Sequence, residues 1–212
     1  VNEEVKFAKD AVVGSIGQPA ALTLAYEEME QVIAIDKGWN WISFSVLPLG
    51  GEVADVFSGY TAQDNDLIKG PNGIATSFQG EWFPPNYEIE PGKMYMLRRQ
   101  EDGKAQVRVQ GGAQSTSTEI PLSSGWNWFG YIPQEKLGVE TALAQLKANN
   151  GDIIKSQNFG TLTRKDGKWL PEGKTMEPGR GYMLLVKTPQ TFRYDKQSGG
   201  ETNPPPQTKT EG

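Results

Sequence analysis

The side chains of this 212-residue chain best suited to surface chemistry are its six tryptophans. They form three matched pairs, Trp39 with Trp126, Trp41 with Trp128 and Trp82 with Trp169, the members of each pair lying 87 residues apart. An indole sheds water readily and holds C–H groups or cations against its face, so tryptophans at repeated places serve as packing or as a platform for a flat ligand. Trp82 and Trp169 read as the most available. They sit beside Gln79-Gly80-Glu81 and Asp166-Gly167-Lys168, polar hairpin tips that run into prolines. An aromatic on a polar loop is a better binding candidate than one inside an apolar strand. Trp39 and Trp41, and likewise Trp126 and Trp128, share one strand face, with Ile42, Phe44 and Val46 on the opposite, core-like face of the first pair. Tyr60, Phe83 and Tyr87 adjoin the first hairpin without counterparts near the second, and Tyr87 joins the six tryptophans as a candidate ligand-binding residue.

Composition removes much other chemistry. The chain has no histidine and no cysteine. That excludes Ser-His-Asp and Cys-His catalysis, thiolate metal sites, iron–sulfur clusters and disulfides. Lys and Arg number 21 against 26 Asp and Glu, a net charge of −5, which argues against nucleic-acid and anionic-membrane partners. Glu81, Glu88, Glu90, Glu172 and Glu177 are the carboxylates near the aromatic loops. Glu90 and Glu177 belong to Glu-Pro-Gly turns, however, and Lys168 stands where a repeat of Glu81 would fall. Asp64-Asn65-Asp66 is rich in oxygen but short of the six to eight ligands calcium takes. Asp66 and Asp152, each three residues before a lysine, fit turn capping or salt bridging better than ligation. No phosphate-cradling glycine loop or dinucleotide fingerprint occurs, and neither cofactor nor metal is expected.

The elements that must position these residues form a tandem repeat. Gly38-Trp39-Asn40-Trp41 recurs as Gly125-Trp126-Asn127-Trp128, Asp66-Leu67-Ile68-Lys69 as Asp152-Ile153-Ile154-Lys155, and Trp82-Phe83-Pro84 as Trp169-Leu170-Pro171. Glu90-Pro91-Gly92 and Tyr95-Met96-Leu97 recur as Glu177-Pro178-Gly179 and Tyr182-Met183-Leu184. The alternation predicts strands at Leu22–Leu24, Val32–Ile35, Trp39–Val46, the Ile68 segment, Ile74–Phe78 and Met94–Arg98. Their counterparts are Val107–Val109, Glu119–Leu122, Trp126–Ile132, the Ile154 segment, Thr161–Arg164 and Tyr182–Lys187, with Phe192–Tyr194 closing the second copy. Val53, Val56 and Phe57, and Val139, Leu143 and Leu146, predict one short helix per copy. The expected class is a β-rich α+β fold of two pseudo-symmetric repeats of antiparallel strands, packed as one unit.

Repeat 1 is expected over 21–105 and repeat 2 over 106–196. Residues 1–20 read as a segment with a docked strand, and the Pro-, Gly- and Thr-rich 197–212 as a disordered linker. The chain opens at Val1, without Met or a signal segment, and reads as a piece of a longer protein. No apolar run is long enough to span a membrane.

At Gly38–Phe44, Asp66–Lys69, the Gly-x-Trp-x-Pro loops and Glu90–Leu97, the chain resembles a repeat of large secreted or surface proteins of gut, rumen and marine bacteria. Such repeats commonly stand beside laminin-G-like, immunoglobulin-like or glycoside hydrolase domains. The resemblance covers about residues 21–196, and copy one departs from its Pro-Gly-x-Gly-Tyr form at Met94, where copy two has Gly181. It implies a secreted or cell-surface accessory module. Together with the tryptophans, it leads to the expectation of a non-catalytic carbohydrate-binding module that stacks a neutral plant cell-wall polysaccharide on Trp82 and Trp169, with Trp39, Trp41, Trp126 and Trp128 in support. The alternative is a structural spacer or adhesion module whose tryptophans all pack and whose partners are neighbouring domains.

Overall fold

The computed structural model describes residues 28–194, so the strand expected at Leu22–Leu24 and the segments 1–20 and 197–212 lie outside the described residues. Strand accounts for 48 % of the structure and helix for 5 %, so β-pairing carries the fold. The first half runs β1 (Met29–Ile35), β2 (Gly38–Ile42), β3 (Val46–Leu47), α1 (Val53–Val56), β4 (Leu67–Gly70), β5 (Gly73–Phe78), β6 (Glu81–Phe83), β7 (Tyr95–Arg99) and β8 (Ala105–Ala113). The second runs β9 (Ile120–Leu122), β10 (Gly125–Gly130), β11 (Leu137–Gly138), α2 (Val139–Ala142), β12 (Ile153–Ser156), β13 (Gly160–Lys165), β14 (Lys168–Leu170), β15 (Thr175–Met176), β16 (Gly181–Val186) and β17 (Gln190–Phe192).

Two five-stranded sheets dominate, one in the order β2-β7-β4-β5-β6 and the other β10-β16-β12-β13-β14. Asn40 lies opposite Leu97 and Asn127 opposite Leu184, so the two edge strands β2 and β10 meet their neighbours in the same register. The Gly-Trp-Asn-Trp block has a local cause in each. Gly38 and Gly125 take φ of 86° and 97°, which a side chain disfavours. The asparagine then ties that turn down. Asn40 Nδ2 donates to the Asp36 and Gly38 carbonyls, while its Oδ1 accepts the Asp36 N–H; Asn127 does the same with Ser123 and Gly125. Gln79-Gly80 and Asp166-Gly167, all four at positive φ, make the tight hairpin turns that match strand twist.

Each sheet covers its own apolar core. Ile33, Phe44, Phe57, Ile68, Tyr95 and Val107 belong to the first, and Ile120, Phe129, Leu143, Ile154, Tyr182 and Phe192 to the second. Both helices are single turns whose valines are buried. The halves meet edge to edge. Ser43 N–H donates to the Gly179 carbonyl at 3.3 Å and Gly130 N–H to the Gly92 carbonyl at 2.9 Å, beside the bridges Ile42 to Arg180 and Phe129 to Lys93.

Two expectations are corrected. The strand expected from Trp39 to Val46 ends at Ile42, because Ser43 turns its N–H to the other half, and Val46-Leu47 joins β8 as a separate strand. Val107–Val109 is expected at the start of repeat 2. It lies instead in β8, which pairs with β1 and buries Val107 and Val109 in the first core. An expected boundary between 105 and 106 would therefore cut the first core at β8.

Candidate functional site

The outer faces of the two large sheets carry the side chains most open to a ligand. Cross-strand neighbours on the first form a row, Trp39, Arg98, Leu67, Thr76 and Phe83, spanning all five strands. The corresponding row on the second is Trp126, Leu185, Ile153, Thr163 and Leu170. At about 4.8 Å between strands each row extends about 19 Å. Trp39 is 42 % exposed and Trp126 43 %, and the rows end in exposed Phe83 and Leu170. The Arg98 guanidinium lies 5.6 Å from the Trp39 ring centre and the Lys155 ammonium 4.8 Å from that of Trp126. Each cation steadies one side of an exposed indole.

Trp41 and Trp128, two residues further along the same faces, are half-buried where the halves meet. Lys69 of the first half reaches over Trp128 of the second, at 5.8 Å. Gln157, in the turn after β12, closes on the free edge of β2. Its Oε1 accepts the Trp41 N–H at 2.6 Å and its Nε2 donates to the Trp39 carbonyl at 2.8 Å. A cavity of about 370 Å³ opens beside β10, lined among others by Lys69, Pro71, Lys93, Trp126 and Trp128.

The residues expected to lead the site do not line it. Trp82 is 4 % exposed and Trp169 2 %. Both lie one residue past their hairpin tip, on the inward face of β6 and β14, where alternation sends Glu81 and Phe83, or Lys168 and Leu170, outward. Trp82 packs against Phe57 with ring centres 5.1 Å apart, and the Trp169 backbone N–H donates to Glu140 Oε1 while the Arg164 guanidinium lies 5.5 Å from the Trp169 ring. Tyr87 is also buried, its ring edge-on to Tyr95 and its hydroxyl donating to the Gly73 carbonyl. Burial, with the Glu90 charge adding, pushes its pKa up to about 12. Trp82, Trp169 and Tyr87 are core residues, and no sugar ring can stack on them in this fold.

The repeated aspartates are turn caps. Asp66, fully buried, accepts from the Tyr60 hydroxyl and from the Gln63 and Gln100 N–H groups, and Asp152 accepts from the N–H groups of Asn149 and Lys187. Asp64 accepts the Gln79 N–H. Among the acidic side chains weighed for hydrolysis, Glu90 is taken by Asn72, Glu177 by Lys136 and Glu172 by Lys168.

Phe83, as an exposed end of its row, and Gln157 stand outside the expected site residues. The signal for Gln157 was a break in the repeat: two residues past the repeated lysine the chain has Pro71 in one copy and Gln157 in the other. No family model, curated protein or solved structure matches the chain.

Proposed function

We propose that this chain is a non-catalytic carbohydrate-binding module built from two pseudo-symmetric repeats, each of which offers its outer sheet face to a glycan. The observation that carries the reading is the pair Trp39 and Trp126. They are the two tryptophans open to solvent, and they stand at the same register position on two sheets of the same strand order. A pyranose ring would stack its C–H face on the open side of each indole, and Thr76 or Thr163 would orient hydroxyls along the row. A net charge of −5 suits a neutral plant cell-wall polysaccharide better than a polyanionic one. The resemblance to repeats of secreted and surface bacterial proteins supports the same setting, outside the cell and beside other domains.

A second reading is favoured by the edge-to-edge hydrogen bonds between the halves and by the cations already lying on both exposed indoles. These features suit a stiff spacer or adhesion module. Affinity electrophoresis through gels of xylan, xyloglucan, mixed-linkage β-glucan, mannan and pectin separates the two. The glycan reading requires retardation in at least one gel, weakened by Trp39→Ala or Trp126→Ala. A folded sample retarded by none of them, nor by insoluble cellulose or chitin, leaves the spacer role.

A further inference from the structure

The cavity beside β10 sits where Gln157 sits beside β2. On the first edge strand the Trp39 carbonyl and Trp41 N–H point away from the sheet, and the Gln157 carboxamide satisfies both. Strand β10 lies on β16 in the register that β2 has on β7, so alternation turns the Trp126 carbonyl and Trp128 N–H outward too. The residue at the place of Gln157 is Pro71, whose side chain has neither donor nor acceptor. Among the described residues no side chain and no loop backbone group bonds either atom. The cavity is bounded by the turn that holds Pro71, by the Trp126–Trp128 edge and by Ile120-Pro121-Leu122. Lys69 and Lys93 add two positive charges to its wall.

We infer that this groove binds a primary carboxamide, supplied by a glutamine or asparagine side chain of a polypeptide partner. The carboxamide oxygen accepts the Trp128 N–H, and the syn N–H donates to the Trp126 carbonyl, as Gln157 does on the other edge. A carboxylate would place an acceptor against the Trp126 carbonyl and an alkyl chain would satisfy neither group, so both are rejected at this point. Flanking acidic residues on the partner would meet Lys69 and Lys93. This inference goes beyond the glycan reading and does not depend on it, since it concerns a backbone edge and not the exposed indole faces.

The test follows the Trp128 backbone amide in a ¹H–¹⁵N spectrum of the whole chain. The titrants are the N-acetylated tripeptides Glu-Gln-Glu, Glu-Glu-Glu and Glu-Leu-Glu with free C-termini. Glu-Gln-Glu moves the Trp128 resonance saturably, and the other two bind at least about tenfold more weakly. Pro71→Gln, which supplies the missing side chain, moves the same resonance without titrant and abolishes the peptide response. Gln157→Ala opens the second edge, so that the Trp41 amide also responds to Glu-Gln-Glu. The inference is overturned if Trp128 ignores Glu-Gln-Glu in the folded wild-type chain, or responds equally to all three peptides. It is equally overturned if Trp128 responds to a soluble polysaccharide instead, which would make the groove a sugar subsite.

Discussion

Met94 fills the space that a side chain at position 181 would need. A Cβ placed on Gly181 would come within 2.3 Å of Met94 Cγ and 2.9 Å of the Ile42 carbonyl oxygen. The two residues hold the same place in the two copies, 87 residues apart, and Met94 is fully buried. Where the halves meet edge to edge, only one of these two positions has room for a side chain. The difference between Met94 and Gly181 is therefore a packing solution.

Gly181→Ala is expected to destabilise the chain by about 1–3 kcal/mol through overpacking. Met94→Gly is expected to cost about 2–5 kcal/mol through the cavity and the added backbone freedom. The exchange Met94→Gly with Gly181→Met removes the Met94 clash but keeps the Ile42 carbonyl oxygen 2.9 Å from the new Cβ, so it costs less than its two single changes combined without recovering wild-type stability. Urea unfolding of the four proteins of this cycle measures the coupling. Additivity within about 0.5 kcal/mol would show that the two sites do not share the space.

Asp66 gathers three donors while fully buried: Tyr60 Oη at 2.6 Å, Gln63 N at 3.0 Å and Gln100 N at 2.7 Å. Asp66→Asn presents an NH₂ to donors that need an acceptor and is expected to cost about 3 kcal/mol. Asp152 serves two backbone donors, so Asp152→Asn costs less. Denaturation midpoints decide this, and a wild-type midpoint for Asp66→Asn would refute the turn-capping role.

Much of the architecture is legible because period-2 patterning and paired turn motifs are local signals. Eight of the ten large-sheet strands fall where alternation and the repeated blocks place one; β6 and β14 do not, because the tryptophans expected on polar hairpin loops lie on short strands that close each sheet. The candidate site is less legible because an outward and an inward tryptophan differ by one residue of register. Trp82 lies three residues past Gln79, in a segment too short for alternation to show which face is buried. Ser43 and Gln157 act across 88 and more than 110 residues, on Tyr131, Trp39 and Trp41. No local pattern marks such partners.

The division of tryptophans into buried and open ones is directly measurable. Trp82→Ala and Trp169→Ala each remove a buried indole and are expected to cost about 3–5 kcal/mol. Trp39→Ala and Trp126→Ala each lose one cation–indole contact at an exposed site, about 0.5–1 kcal/mol. Acrylamide quenching of variants retaining Trp126 alone or Trp169 alone, the other tryptophans replaced by Phe, gives the same ranking. A Trp169 signal quenched as readily as that of Trp126 in a folded variant would return Trp169 to the surface.

Alkaline pH offers a global test, because all six tyrosines among the described residues are raised in pKa with burial as the leading cause. They are Tyr60, Tyr87, Tyr95, Tyr131, Tyr182 and Tyr194. Beside burial, the Asp66 carboxylate raises Tyr60, while the Glu90 and Glu177 N–H groups donate to the Tyr95 and Tyr182 hydroxyls and offset part of the upward shift that burial causes there. Below about pH 10 these tyrosines are protonated in the folded and unfolded chain alike, so their contribution to stability is fully present. Above about pH 10 the unfolded chain releases protons that the folded chain retains. The unfolded state then binds fewer protons, and stability falls as pH rises, by up to about 1.4 kcal/mol per pH unit for each such tyrosine. Tyrosinate absorbance at 295 nm is therefore expected to rise in one cooperative step that coincides with loss of the near-ultraviolet circular dichroism. A gradual titration centred on pH 10 in a chain that keeps its near-ultraviolet signal would mean that these hydroxyls are not held in the two cores.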